Sequence, residues 1–212
     1  MEFDKGLNMV LINKLMEYIN YENGIFFEAG ANEGTRQSNT YLLEKELNWV
    51  GILVEPSYHF NMISKNRPNS IAFNCALVSY DWKKEEINGS FGNIEHEAYN
   101  LMSKTEESAS FTAGTSDISV KAMTIDDVIS STPYDSFDLI SLDCEGSEFS
   151  ILNGFNFEKH KTKFFLIETF VDTVGGDYEQ FNKINKMLKE NGYELESMLS
   201  SCDWLFKNKN FV

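Results

Sequence analysis

The stretch Ile25-Phe26-Phe27-Glu28-Ala29-Gly30-Ala31-Asn32-Glu33-Gly34 decides how the chain folds. A short apolar run gives way to a glycine and polar residues, the pattern of a buried strand meeting a turn. Glycine at a strand end permits a tight turn and lets a ligand approach the backbone. The dinucleotide fingerprint G-x-G-x-x-G needs a second glycine two residues after the first. That glycine is missing here, and the pattern reads E-x-G-x-x-x-G. No Lys-Ser or Lys-Thr pair follows, so the turn is not a phosphate-binding P-loop either. The bland alternative is an ordinary strand-turn-helix junction whose glycines serve geometry alone.

Outward from this turn, apolar runs and helical periodicities alternate. Leu7, Val10, Leu11, Leu15 and Ile19 share one face of a helix over Leu7–Ile19. A helix is expected over Thr35–Leu47, a strand over Val50–Val54, a short helix over Tyr58–Lys65 that stops before Pro68, and a strand over Ile71–Ala76. The alternation resumes at Ile125–Ile129, a helix with Thr124 as N-cap. A strand over Phe137–Leu142, a helix over Glu148–Leu152 closed by Gly154, and a strand over Phe164–Ile167 follow. Tyr178–Glu190 is amphipathic, and Tyr193–Leu199 with Trp204–Phe206 reads as an antiparallel pair. The order predicts an α/β, Rossmann-like domain over residues 1–212, with a central, mostly parallel, seven-stranded sheet and helices on both faces. The rhythm breaks over Tyr80–Met123, which is long, polar and rich in Ser, Thr, Gly and Glu. It reads as an insertion at about 80–123 near the mouth of the site, with a strand at Val120–Met123.

Ligands of such sheets bind beyond the carboxyl ends of the strands. Acids gather there. Gly51-Ile52-Leu53-Val54-Glu55-Pro56 ends a strand on Glu55, about 20 residues past the glycine turn, where a carboxylate accepts ribose hydroxyls. A vicinal diol fits that carboxylate and a 2′-phosphate does not. Leu139-Ile140-Ser141-Leu142-Asp143-Cys144-Glu145-Gly146-Ser147-Glu148 packs three acids into six residues. Their mutual repulsion makes sense in a site that handles protons, hydroxyls or cations. Asp143 is the candidate base or hydroxyl orienter, with Glu168 assisting. Glu145 is placed on acceptor, metal or backbone amides. Glu148 equally reads as an acid favouring a helix dipole. Asp143, Glu145 and Glu168 together offer an oxygen set of the kind that holds Mg²⁺ or Mn²⁺. Adenosylmethionine, a cation without phosphate, suits an acidic rim better than NAD or ATP does.

The bulk numbers narrow the partners. Net charge is −15 and the only arginines are Arg36 and Arg67, so nucleic acid is disfavoured. The longest apolar runs are too short to cross a bilayer. Met1–Asn8 carries no leader pattern. The three cysteines, Cys75, Cys144 and Cys202, form no CxxC pair, which fits a reducing cytoplasm. Cys144 reads as a packed thiol. His59, His96 and His160 read as surface or satisfied histidines, with His96 placed to touch acceptor or metal. Trp82, Phe91, Tyr99 and Phe111 lie in the insertion and offer surfaces for stacking on an acceptor or on a second copy in a homodimer.

With these motifs in view, the sequence resembles the FkbM family of methyltransferases. The resemblance is carried by Glu28–Gly34, Val54-Glu55-Pro56, Asn74-Cys75-Ala76-Leu77, Thr124-Ile125-Asp126-Asp127, the D-x-E-G-x-E block at Asp143–Glu148, and Ile167-Glu168. The family's first acid is often Asp, and here it is Glu28. The resemblance implies a class I methyltransferase fold, S-adenosylmethionine as donor, and O-methylation of a small acceptor, a sugar or sugar-nucleotide in glycan or capsule-type biosynthesis or else a secondary metabolite. It places Glu28, Gly30, Asn32, Gly34, Glu55, Asn74, Cys75 and Asp143 around the cofactor, with Gly30 and Gly34 at its amino-acid part and Asn74–Cys75 beside the adenine. Asp143, Glu168 and Glu145 stand on the catalytic side. Two rivals remain open on the sequence: an NAD-dependent oxidoreductase or epimerase, which lacks its middle glycine and a Tyr-x-x-x-Lys pair here, and a catalytically silent binding protein on the same fold.

Overall fold

A computed structural model describes residues 7–91, 103–105, 118–169 and 178–211. Its elements run α1 (Met9–Ile19), β1 (Ile25–Ala29), α2 (Tyr41–Leu47), β2 (Val50–Val54), α3 (Phe60–Asn66), β3 (Ile71–Phe73), β4 (Ala76–Leu77), β5 (Glu86–Phe91), β6 (Ser103–Thr105), β7 (Ile118–Met123), α4 (Ile125–Ser130), β8 (Ser136–Leu142), α5 (Glu148–Leu152), β9 (Lys161–Glu168), α6 (Glu179–Glu190), β10 (Tyr193–Met198) and β11 (Asp203–Asn208). Seven strands form one sheet in the order β10-β11-β9-β8-β1-β2-β3. β1, β2, β3, β8 and β9 pair in parallel, and β11 runs antiparallel to both β9 and β10.

Adjacent residues on each strand feed opposite faces, as the twofold period of a strand requires. Phe26, Leu53, Leu139, Phe164 and Leu205 pack with Leu11, Leu15 and Ile19 of α1, Leu43 of α2 and Ile63 of α3. Their neighbours Phe27, Ile52, Ile140, Phe165 and Phe206 pack on the other face with α4, α5 and α6 through Ile125, Val128, Ile151, Leu152, Ile184 and Leu188. Continuous apolar runs rather than alternation are the mark of strands covered on both sides.

Local chemistry sets the boundaries. Asn8 caps α1 by accepting the Leu11 N–H at 3.1 Å. Thr124 and Asp127 close a reciprocal capping box on α4. The helix expected over Thr35–Leu47 begins only at Tyr41. Ser38, Asn39 and Thr40 instead turn their donors onto the buried Glu28 carboxylate, which takes those residues out of the helix. The strand expected over Ile71–Ala76 breaks at Asn74. The Asn74 amide donates to the carbonyls of Glu55 at 2.8 Å and Pro56 at 3.2 Å, and the chain then enters a different sheet at β4.

That second sheet has the order β4-β7-β5-β6. It occupies part of the stretch for which an insertion was expected, with strands β5 and β6 where the sequence pattern marked only the strand at its end. Trp82 packs against its small core of Ala76, Val78 and Ile87, and donates Nε1–H to the Glu86 carbonyl at 3.2 Å. His96, Tyr99 and Phe111 lie outside the described residues. No helix among the described residues is long and apolar enough to cross a membrane.

Candidate active site

Register places the site. Ala29 pairs with Val54 on one side and Leu142 on the other, and Leu142 pairs with Ile167. The next residue along each of these four parallel strands is therefore Gly30, Glu55, Asp143 and Glu168. Four positions scattered over 139 positions of sequence become one row along the carboxyl edge of the sheet. The chain runs outward from β1 to β2 and β3, then returns to β8 on β1's other side. That reversal opens a crevice between β1 and β8. A pocket lies there, walled by Gly30, Asn32, Glu55, His59, Cys75, Asp143, Glu145 and Glu168 among others.

Gly30 is required by contact as well as conformation. Its φ is +83°, and a Cβ there would sit 1.9 Å from the Asp143 carbonyl oxygen. The β1 and β8 loops touch at this point, and only a hydrogen fits between them. Further left-handed backbone surrounds the pocket. Asn32, Gln37 and Glu145 have φ of 52°, 55° and 54°, and all three line the wall. Each such non-glycine residue costs about 1–3 kcal/mol, a strain that concentrates at functional sites.

Glu55 is buried, and its two carboxylate oxygens are each held by one backbone amide. Oε2 accepts the Asn32 N–H at 2.7 Å and Oε1 accepts the Ser57 N–H at 2.9 Å. A carboxylate oxygen has more than one acceptor position, so the group is fixed in place while retaining capacity toward the pocket. The buried Cys75 lies in the wall beside Ala76 and Leu77, and burial pushes its thiol up to about 12.

The acidic side is built from β8 and β9. One oxygen from each of Asp143, Glu145 and Glu168 lies within 4.8 Å of the others. Burial, with the Glu168 charge and hydrogen bond next, holds the Asp143 carboxyl well above the ordinary range; Asp203 and Glu28 add repulsion. Glu168 is also raised, chiefly by burial, against the lowering effect of its bond to Asp143. The pair therefore retains a shared proton where isolated carboxylates are ionised. Cys202 donates Sγ–H to Glu168 at 3.4 Å from β11's leading turn.

Glu148 supports this loop from below. Its Oε1 accepts the Cys144 N–H at 2.8 Å and the Gly146 N–H at 3.2 Å, while Oε2 accepts from Gln180 of α6 at 2.8 Å. Burial raises its carboxyl to about 7. The sequence pattern did not single out Gln180, because a surface-type amide on an amphipathic helix carries no local signal.

Three residues expected at the cofactor, Glu28, Gly34 and Asn74, are not among those lining the pocket. The Glu28 carboxylate is turned into the 38–40 segment, bonded to Ser38 at 2.9 Å, Asn39 N–H at 2.7 Å and Thr40 at 2.6 Å. Arg67, buried to 1% exposure, lies 3.8 Å from it and binds Glu44 at 2.7 Å. Gly34 bends the turn at φ +87°, and a Cβ there would meet the Arg67 side chain at 2.8 Å. Asn74 is exposed and spends its amide on the 55–56 carbonyls. Ser57, His59 and Gln37 line the pocket without having been singled out for it. Their places follow from the path of the β1 and β2 loops, which a linear pattern does not encode.

A seven-stranded sheet with one antiparallel strand, this strand order, and a switch-point pocket edged by a β2 acid define a class I methyltransferase fold. Residues 28–195 match the Methyltransferase FkbM domain. The chain belongs to the FkbM methyltransferase family. Among solved structures, it is similar to a precorrin-6y C5,15-methyltransferase from Geobacter metallireducens, at 10% identity over 93% of this chain and 85% of that one, with a TM-score of 0.48. It is also similar to a SAM-dependent methyltransferase from Geobacter sulfurreducens in complex with S-adenosyl-L-homocysteine, at 6% identity over 93% and 68% of the two chains, with a TM-score of 0.41. At these distances strand order, not superposition, identifies the fold. No curated protein sequence matches the chain.

Proposed function

We propose that the protein transfers a methyl group from S-adenosylmethionine to a hydroxyl of a small, sugar-like acceptor. The observation that carries this reading is the row Gly30–Glu55–Asp143–Glu168, with one carboxylate on one side of the glycine turn and a carboxyl pair on the other, an arrangement that suits a ribose diol and an acceptor hydroxyl. The cofactor, when bound, supplies a methyl group already activated on sulfonium. Gly30 gives the ligand access to backbone, and Glu55 accepts the ribose hydroxyls with its remaining lone pairs. Cys75, Ala76 and Leu77 offer an apolar wall to a base.

The chain's own contribution to chemistry is alignment and proton handling. Asp143 and Glu168 orient the acceptor hydroxyl, and the ionised member of the pair accepts its proton. A carboxyl raised above its ordinary range is the stronger base near neutral pH. Neutral sugar hydroxyls tolerate this acidic wall, whereas phosphodiester backbones are repelled by it and by the net charge of −15.

Calorimetric titration with S-adenosylmethionine, with NAD as control, tests the donor. Turnover against a panel of sugars and nucleotide sugars, with and without EDTA, tests the acceptor class and whether the acidic trio works with a proton or a divalent ion. Binding of NAD and not of S-adenosylmethionine would overturn the reading. Donor binding without turnover on any hydroxyl acceptor would favour a silent binding protein.

A further inference from the structure

His59 stands between β2 and α3 and lines the same pocket as Glu55. Its ring is held in place: it stacks on Tyr58 with centroids 4.1 Å apart and a 32° tilt. The His59 N–H donates to Ser57 Oγ at 3.2 Å, and the Ser57 N–H donates to Glu55 Oε1 at 2.9 Å. The His59 backbone is thus tied, through one serine, to the carboxylate that faces the pocket, and Tyr58 holds the ring. Yet its Nε2 is buried and has no hydrogen-bond partner among the described residues. Buried polar atoms are paired in the large majority of cases, and an orphan asks for an explanation.

We propose that His59 Nε2 hydrogen-bonds a ribose hydroxyl of the bound nucleoside, making His59 a second anchor beside Glu55. The inference rests on the nucleoside-cofactor reading above. Position argues for the ribose over the base. His59 belongs to the Glu55 loop, whereas Cys75, Ala76, Leu77 and Ile151 supply the apolar part of the wall. Chemistry agrees, since a hydroxyl both donates and accepts and so satisfies Nε2 in either tautomer. The two anchors divide the work: Glu55 accepts hydrogen bonds from the diol, and His59 Nε2 meets a hydroxyl from the other end of the same loop.

The test is calorimetric titration of the full chain with S-adenosylhomocysteine and with its 2′-deoxy and 3′-deoxy forms. The proteins are wild type, His59→Phe, which keeps the stacked ring without nitrogen, and His59→Gln, which returns a polar group near Nε2. The expected result is about tenfold weaker S-adenosylhomocysteine binding for His59→Phe, equal to ~1.4 kcal/mol, with partial recovery in His59→Gln. The His59→Phe loss should vanish against the deoxy form that lacks the partner hydroxyl. His59→Leu serves as a second nitrogen-free variant should the phenylalanine disturb folding. Equal affinity of wild type and both nitrogen-free variants would overturn the assignment, as would a loss that persists against both deoxy forms. Failure of wild type itself to bind would instead overturn the cofactor reading and this inference with it.

Discussion

Glu55→Gln separates scaffolding from ligand binding at one carboxylate. In the wild type its oxygens accept the Asn32 N–H at 2.7 Å and the Ser57 N–H at 2.9 Å, both bonds buried. Hydrogen bonds to a charged group contribute about 1.5–3 kcal/mol each. Glutamine retains one oxygen acceptor and turns an NH₂ toward the other donor. One charged bond is lost and the other becomes neutral, so destabilisation of ~2–4 kcal/mol is expected. A domain of this size loses roughly 2–4 °C of Tm per kcal/mol, so the melting temperature should fall by about 5–15 °C. A domain with 5–15 kcal/mol to lose remains folded at 15 °C. Alanine would orphan both buried amides and confound the two effects. At 15 °C, calorimetry with S-adenosylhomocysteine should show binding weakened about 10- to 100-fold, the loss of one charge-assisted contact to ribose. A lowered melting temperature with unchanged affinity would refute the ribose role and leave Glu55 as a clamp between the β1 and β2 loops.

Asp143→Asn should abolish methyl transfer while preserving the fold, and it should stabilise the protein at alkaline pH. The folded state holds this carboxyl's proton more tightly than the unfolded chain does, so wild-type stability falls as pH rises above the ordinary carboxylate range toward the raised folded value. The variant's Tm advantage should therefore be larger at pH 8 than at pH 4, and an advantage that shrinks with rising pH would contradict the burial argument. Gly30→Ala should cost ~2–5 kcal/mol by urea unfolding, from the left-handed backbone and the 1.9 Å approach to the Asp143 carbonyl together; a neutral result would mean the β1–β8 junction is not tight. Arg67→Met leaves Glu28 and Glu44 buried without their cation and should cost about 3–5 kcal/mol, read from the urea midpoint. Retained midpoint would show the pair to be dispensable.

Much of the architecture was legible because it is periodic. Phe26 and Phe27 lie side by side in sequence and face opposite layers, and the same holds for Leu139 and Ile140 and for Phe164 and Phe165. Such double-faced runs separated by amphipathic helices leave a covered parallel sheet as the consistent solution. The boundaries that slipped are those where a side chain outcompeted the backbone. Ser38, Asn39 and Thr40 carry helix-compatible spacing, but a carboxylate ten or more residues away claims their donors.

The chemistry divides in the same way. Sequence by itself determined that acids end the strands at Glu55, Asp143 and Glu168 and that a glycine begins the turn at Gly30, because strand ends and turns are written in local residue type. Only the tertiary structure decided that these four stand in one row, since register is a relation between strands distant in the chain. It also decided that Glu28, first in the motif, faces inward to Arg67 and the 38–40 segment, and that His59 faces the pocket. Side-chain direction depends on what packs against it, and the partners of Glu28 and His59 come from elsewhere in the fold.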